Sequence, residues 1–410
     1  MNLDRLRDLD RKDPLASLRD RFDLPMGIIY LDGNSLGALP HGVTERIERL
    51  LNREWRLNLI SGWNTHDWIG LPSRVGERIA KLIGAAPGQV ICADSISVNL
   101  FKLLSAALSL RPGRTTILSQ QDNFPTDLYM ADGLSELLGP ENCEVKCVSA
   151  DRLLDSINSN VAVLMLTQIN FRDGSLHDIQ ALTRKAHDHG ALVLWDLAHS
   201  AGVIPLELDE WDVDMAVGCG YKYLNGGPGA PAFLYLAKRH HGKAVQPLQG
   251  WMGHASPFDF TPDYVAAGGV QSFMAGTPGI LGMAALDAAL HVFEDVSLDD
   301  LRTKSQALTQ TFIELISELD LPGIRVLTPL QPDNRGSQVS LSHQSGFAIS
   351  QALIEQGIIV DFRAPDIIRF GFSPLYNTFS DAGLAASALV KIIENKLFLE
   401  SKYLVRNKVT

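Results

Sequence analysis

The sequence predicts an α/β protein, with a mostly parallel seven-stranded sheet in a large domain and a smaller α+β domain after it. Three observations carry this. Strand-like and helix-like patterns alternate from about residue 88 to 237. The strand segments are apolar on both faces, as in VAVLMLT (161–167), whereas a half-solvated sheet would alternate apolar and polar residues. After Gly279 the pattern changes to a long helical stretch, then to short strands mixed with helices.

In chain order, the predicted strands of the large domain are GQVIC (88–92), TTILSQ (115–120), CEVKCVS (143–149), VAVLMLT, ALVLWD (191–196), MAVGCG (215–220) and PAFLYLA (231–237). Helical spacing joins them over 98–110, 125–138, around Leu153 and over 178–189. A helical stretch over about 280–319 breaks near Asp295, and the domain boundary is placed near residue 290. IRVLTP (324–329), SQVSLS (337–342), IIVDF (358–362) and IIRFGF (367–372) follow as strands, with helices at 347–356 and 380–396. The expected division is an N-terminal segment, 1–45, packing with the small domain, a large domain, 46–290, and a small C-terminal domain, 291–410.

At about 150 residues per domain, 410 residues leave room for this arrangement. A hydrophobic share of 46% and a charged share of 20% describe an ordinary globular chain and exclude disordered or collagen-like classes. The net charge of −11 repels phosphate backbones, and no basic run exceeds Lys238–His241, so nucleic acid is not an expected partner. The four cysteines form no CxxC pair, which speaks against a zinc site or a disulfide framework and for reduced thiols. No apolar run is long enough for a bilayer, and MNLDRLRDLDRKDP lacks the apolar core of a secretory signal, so a soluble cytoplasmic protein is expected. His187, His189, His240 and His241 lack a carboxylate or cysteine at ligand spacing and read as solvated surface, with no metal expected.

The chemistry concentrates in ALVLWDLAHSAG and MAVGCGYKYLNGGPG. Asp196 closes one apolar strand and Lys222 follows another, and ligands of open α/β sheets gather at those strand ends. A lysine leaving a buried strand among small residues is partly desolvated, which makes it a Schiff-base candidate. An aspartate in the same crevice is what a pyridinium nitrogen needs to stay protonated. Alone, Asp196 reads as a helix cap and Lys222 as a solvent-reaching side chain; together, with Tyr221 and the glycines from Gly226 to Gly229, they indicate pyridoxal 5'-phosphate (PLP). Ile96-Ser97-Val98-Asn99 opens a helix whose positive end suits a phosphate. Phe124 is placed to stack on a flat ring, or else is core; Thr167 ends a neighbouring strand. Arg369 interrupts an apolar strand and needs an anion, either a substrate carboxylate or one of the chain's own acids.

WDLAHSAG, GYKYLNGGPG, FPTD, GWMGH and RFGFSPLYN, taken in order, resemble kynureninase, a PLP-dependent family of the aspartate-aminotransferase-like fold. The resemblance runs from YLDGNSLGALP near residue 30 to SPLYNTF near 379. It implies hydrolytic cleavage of L-kynurenine to anthranilate and L-alanine in tryptophan degradation. It further implies that Lys222 holds PLP and moves the α-proton, that Asp196 pairs with the ring nitrogen, and that His199 lies near the ring. Tyr221 would reach the phosphate and act as an acid. Ile96 and Ser97 would hold the phosphate, with Trp251 and Thr277 reaching it from a second subunit, because this family builds its site across a homodimer. Phe124 would stack on the ring, Asp127 and Thr167 would complete the shell, and Arg369 would bind the substrate carboxylate. Ser35 is a weaker substrate contact. Near the aryl group the matching positions are Trp63, with Trp68 as the alternative, and Gly276 or Thr277; this pattern implies unsubstituted kynurenine as substrate in preference to 3-hydroxykynurenine.

Rival readings make distinct demands. A cysteine desulfurase of the same fold needs a mobile thiol late in the chain, yet all four cysteines precede Lys222. An aminotransferase or another lyase shares the first steps and differs in product. Gly33-Asn34-Ser35-Leu36-Gly37 matches the GxSxG of serine hydrolases, but only one candidate strand precedes it and Pro40 stands where the elbow helix should start.

Overall fold

The computed structural model describes residues 3–405. Its strands are β1 (Ile29–Tyr30), β2 (Val90–Cys92), β3 (Thr116–Gln120), β4 (Glu144–Val148), β5 (Val161–Thr167), β6 (Leu192–Asp196), β7 (Met215–Cys219), β8 (Ala232–Leu236), β9 (Arg325–Val326), β10 (Gln338–Ser342), β11 (Ile358–Ile359), β12 (Asp361–Arg363) and β13 (Ile367–Gly371). The large sheet has the order β2-β8-β7-β6-β5-β3-β4. Neighbours from β4 through β7 are parallel, and only β8 runs against both of its partners. The reversal has a local cause: no helix lies between β7 and β8, and a parallel return would need a crossover.

The sheet is buried on both faces because each strand sends alternate side chains to opposite cores. In β6, Val193 and Trp195 join one cluster with Leu164, Ala216 and Phe233, whereas Leu192 and Leu194 join another with Val163, Met215 and Leu234. Helices supply the covers, among them Leu71–Leu82, Ile96–Leu110 and Ile179–Asp188. Ser95 caps the second by accepting from the Val98 amide, so Ser97 is the second residue of the first turn and not the cap.

The later chain forms an antiparallel sheet, β12-β13-β10-β9, and its own core. The helix Leu298–Leu319 bridges the two regions: Leu301 packs in the first core, and Leu308, Phe312 and Ile316 pack in the second. The N-terminal segment also divides. Leu6 and Leu31 enter the second core, while Leu18, Phe22 and Ala38 enter the first. β1 pairs in parallel with β11, and the Asp10 carboxylate accepts from the Phe379 amide at 2.6 Å, capping the helix Phe379–Glu394.

One sequence expectation is overturned. His187 and His240 are not free on the surface: both donate through Nε2 to the buried Asp214, at 2.8 and 2.7 Å. Arg239 and the Val193 amide add further donors, at 2.7 and 2.9 Å. Sequence spacing hid this, because the carboxylate comes from the start of β7 and lies 27 and 26 residues from the histidines. Among the described residues, no helix is long and apolar enough to cross a membrane.

Candidate active site

At the C-terminal ends of the parallel strands lies a cavity of about 740 Å³, a size that suits a small-molecule site. Thr167 and Asp196 end β5 and β6 and are register partners. Both line the cavity, as do Cys219 at the end of β7 and Tyr221 and Lys222 beyond it. The Lys222 ammonium lies 5.8 Å from the centroid of the Phe124 ring and 5.9 Å from that of Tyr221. Phe124 in turn meets Phe171 edge-on at 5.3 Å, which fixes one wall. Ile96 and Ser97 stand at the start of the 15-residue helix and also line the cavity. Gly276 and Thr277 close the opposite side within the same chain.

Asp196 does both things weighed from sequence. One carboxylate oxygen accepts from the Ala198 amide at 2.7 Å, capping the following turn, and the residue still lines the cavity beside Lys222. Asp127, from the start of the helix Pro125–Leu138, hydrogen-bonds to it. Burial first, and then the Asp196 charge, raises the Asp127 carboxyl well above the usual carboxylate range, so Asp127 holds the proton of this pair. Burial raises Asp196 as well, but the Lys222 charge, the Ala198 amide and the Asp127 hydrogen bond oppose it and leave Asp196 the more readily ionised of the two. Asn123 anchors the group, donating to Asp127 at 3.1 Å and accepting from the Thr167 amide at 2.7 Å.

His199 is buried, and burial, followed by the charges of Lys222, Arg369 and Arg363, drives it well below the usual histidine range, leaving it neutral. The Tyr221 phenol is shifted upward by burial, by Cys219 and by Asp196, so it keeps its proton at neutral pH. Two buried polar atoms here, Asp127 Oδ1 and His199 Nδ1, have no hydrogen-bond partner among the described residues. Unpaired polar atoms around an aromatic wall, an ionised carboxylate and a helix N-terminus match the donor and acceptor needs of PLP. The residues present therefore fit that cofactor.

Arg369, on β13, is already engaged. Its Nε and Nη2 fork onto Asp361, its register partner on β12; Nη2 also donates to Ser35 at 3.1 Å, and Nη1 donates to the Phe171 carbonyl at 2.7 Å. The chain's own acid is thus its partner in this structure, and the Phe171 carbonyl connects it to the cavity wall. Ser35 passes its hydrogen to Asp361 at 2.7 Å, and the strand before it has two residues in a two-stranded sheet, so no hydrolase elbow forms. Trp63 and Trp251 lie outside the cavity. Trp63 meets Trp68 edge-on at 6.0 Å, and it is Trp68 that is buried, donating to Glu54 at 3.0 Å. Trp251 is exposed beside Phe258 and Phe260.

Sequence reasoning missed Asp361, Asn123, Phe171 and Gln338. Gln338 hydrogen-bonds to His199, donates to the Phe171 carbonyl at 3.2 Å and accepts from Asn34 at 3.1 Å, joining β10 to the cavity. A signal for Asp361 existed: DFRAPDIIRF reads as two short strands about a tight turn, which sets Asp361 opposite Arg369.

Comparison with known proteins agrees with this chemistry. The profile of the kynureninase C-terminal domain matches residues 301–389. The kynureninase of Deinococcus radiodurans is 48% identical over 400 residues, spanning 96% of this chain and 97% of that one. The kynureninase of Pseudomonas fluorescens is 44% identical over 98% of each chain. Among solved structures, a cysteine desulfurase from Thermococcus onnurineus NA1 superposes with a TM-score of 0.78 over 92% of this chain and 98% of its own, at 19% identity, which shows the shared fold. A C-DES variant with glycine linked covalently to its PLP cofactor superposes with a TM-score of 0.76 at 18% identity, over 90% of this chain and 98% of its own. With nearly full-length identity of this order and a cavity suited to the cofactor, the chain belongs to the kynureninase family, PLP-dependent hydrolases of carbon–carbon bonds.

Proposed function

We propose that this protein hydrolyses the Cβ–Cγ bond of L-kynurenine, releasing anthranilate and L-alanine. PLP, when bound, supplies the electron sink for negative charge at the substrate's α- and β-carbons. Lys222 holds the cofactor and its Nζ moves the α-proton. Asp196 would pair with the ring nitrogen as the more readily ionised member of its pair, with Asp127 holding that charge by its own proton. Ile96, Ser97 and Tyr221 would hold the phosphate, Phe124 would stack on the ring, and Thr167 and His199 would complete the enclosure. The Tyr221 hydroxyl, protonated at neutral pH, delivers a proton to the β-carbon. Arg369 and Ser35 receive the substrate carboxylate, and Trp63 with Gly276 or Thr277 borders the aryl ring. We further assign the chain to a homodimer of cytoplasmic subunits with the domain division 1–45, 46–290 and 291–410. The exposed aromatic cluster of Trp251, Phe258 and Phe260 supports pairing, since these rings lack cover within one chain.

The observation that carries the reading is the convergence of Lys222, Asp196 and the proton-bearing Asp127 in one enclosed cavity of a kynureninase-family chain. The test is direct. Purified protein with PLP and L-kynurenine yields equal anthranilate, by fluorescence, and alanine, and Lys222→Ala abolishes both. Cofactor bound at Lys222 with the carbon skeleton left whole would overturn the reaction and indicate an aminotransferase.

A further inference from the structure

Arg369 shares Asp361 with a second arginine. Arg363 Nη2 lies 2.8 Å from the same Asp361 oxygen, Oδ2, that accepts from Arg369. Asp361 is almost fully buried, whereas the Arg363 side chain keeps 37% of its exposure. Arg363 therefore reaches the carboxylate from the open side. A fourth ionisable group, Asp32, faces this trio: Ser35, Asp361, Arg369 and Arg363 all act on it, and one of its buried oxygens, Oδ1, lacks a partner among the described residues. Tyr30, Tyr223 and Tyr376 surround the same point and feel the Asp32 charge.

Counting charge decides what this cluster can bind. Burial first, with the Asp361 charge second, raises Asp32 up to about 7, while hydrogen bonds and charge from Arg369, and the charge of Arg363, hold Asp361 below its usual value against burial. Below that pH the cluster is two guanidinium cations against one carboxylate, with one positive charge left over. A single arginine clamped by Asp361 would have none to offer. An incoming monoanion would then create a net buried negative charge, whose lost hydration nothing in the cluster repays.

We propose that Arg363, Asp361 and Arg369 form a two-arginine receptor for one α-carboxylate, in which Asp361 passes from the Arg369 fork to Arg363 as the substrate takes the fork. Arg363 is a positioning residue: it holds Asp361 and supplies the second positive charge, while Arg369 makes the contact. The inference rests on the assignment of an amino-acid substrate to this cavity. It leaves open which amino acid that is.

The experiment is a double-mutant cycle on the holoprotein, read in two ways: KM and kcat for L-kynurenine, and calorimetric affinity for L-alanine beside ethylamine, which lacks a carboxylate. Arg363→Gln is expected to raise KM and weaken L-alanine about tenfold, with kcat within about threefold and ethylamine affinity unmoved. Arg363→Lys, which keeps the charge and can still reach Asp361 with a single donor, recovers most of the affinity. Arg363→Gln combined with Asp361→Asn restores the charge count and returns L-alanine affinity toward that of the native protein. An unchanged L-alanine affinity in Arg363→Gln, an equal loss for ethylamine, or a double variant weaker than the single would each overturn the receptor. If native protein leaves kynurenine intact, the substrate assignment fails, and the L-alanine cycle still decides the receptor.

Discussion

Replacing Lys102 by Met removes a buried cation that ties two walls of the cavity together. The Lys102 side chain is fully enclosed, and its ammonium donates to Asp94, to Asn99 Oδ1 at 3.1 Å and to the Phe273 carbonyl at 2.6 Å. Asp94 leads into the helix that carries Ile96 and Ser97, and Phe273 leads into the segment that carries Gly276 and Thr277. Met fills nearly the same volume, so lost packing contributes little. The cost comes from the partners. Asp94 keeps 31% of its side-chain exposure and can turn to water, whereas the Asn99 and Phe273 oxygens lose a buried charged donor at about 1–3 kcal/mol each. Lys102→Met should therefore unfold with a loss of about 2–6 kcal/mol in urea, followed by tryptophan fluorescence. It should also bind PLP at least about tenfold more weakly, since about 1.4 kcal/mol of misalignment suffices for that. Unfolding within about 1 kcal/mol of native, together with native PLP affinity, would refute the idea that this lysine braces the cavity.

Other consequences are equally measurable. Asp127→Asn keeps a neutral hydrogen-bond donor beside Asp196, so PLP affinity should stay within about tenfold of native; Asp196→Asn removes the charge and should lower kcat by about a hundredfold or more. Kinetics of the two variants side by side would expose an error in which carboxyl holds the proton. Because Asp32 is raised to about 7, it gains negative charge above that pH and opposes the substrate carboxylate; KM should climb as pH rises from 7 to 9, and Asp32→Asn should flatten the climb. Asp214 is lowered by its hydrogen bonds from His187 and His240 and by the Arg239 charge, which outweigh burial. Its stabilising share is therefore full above the unfolded aspartate value, near 4, and is lost as pH falls through the lower folded value; Asp214→Asn should be less stable at pH 6 and lose less on acidification. A Cβ on Gly37 would stand 2.3 Å from the Lys222 carbonyl oxygen, so Gly37→Ala should lower PLP affinity sharply, whereas Gly276→Ala, with no atom within 4 Å of the added carbon, should leave it near native in the isolated chain.

Local patterns in the sequence go far towards this fold. Most of the large-sheet strands announce themselves by a run that is apolar on both faces, the edge strand β4 alternating instead, and the lysine and aspartate stand out because they end such runs. The antiparallel course of β8 is written less plainly, as the absence of a crossover helix between residues 220 and 231. Partners drawn from distant segments are harder still. Arg369 visibly needed an anion, yet its choice of Asp361 depends on hairpin register, and the engagement of Ser35 depends on a contact spanning 334 residues. His187 and His240 looked solvated because the carboxylate between them arrives from a strand that neither adjoins in sequence. Hydrophobic period is a local property and survives inspection of one segment. Polar pairing is settled only when distant segments meet.

The placement of the N-terminal segment bears on how the chain matures as it leaves the ribosome. Asp10 and β1 find their partners at Phe379 and β11, and the Gly37 amide bonds to the carbonyl of Tyr221 at 2.8 Å, next to the cofactor lysine. Asp10 and β1 are thus made well before the part of their docking site that Phe379 and β11 supply. Until then Leu6 and Leu31, whose core is built from the later chain, have nowhere to bury. The Gly37 bond behind the lysine loop needs only Tyr221, so it can form before the small sheet exists, and Asp10 and β1 dock after it.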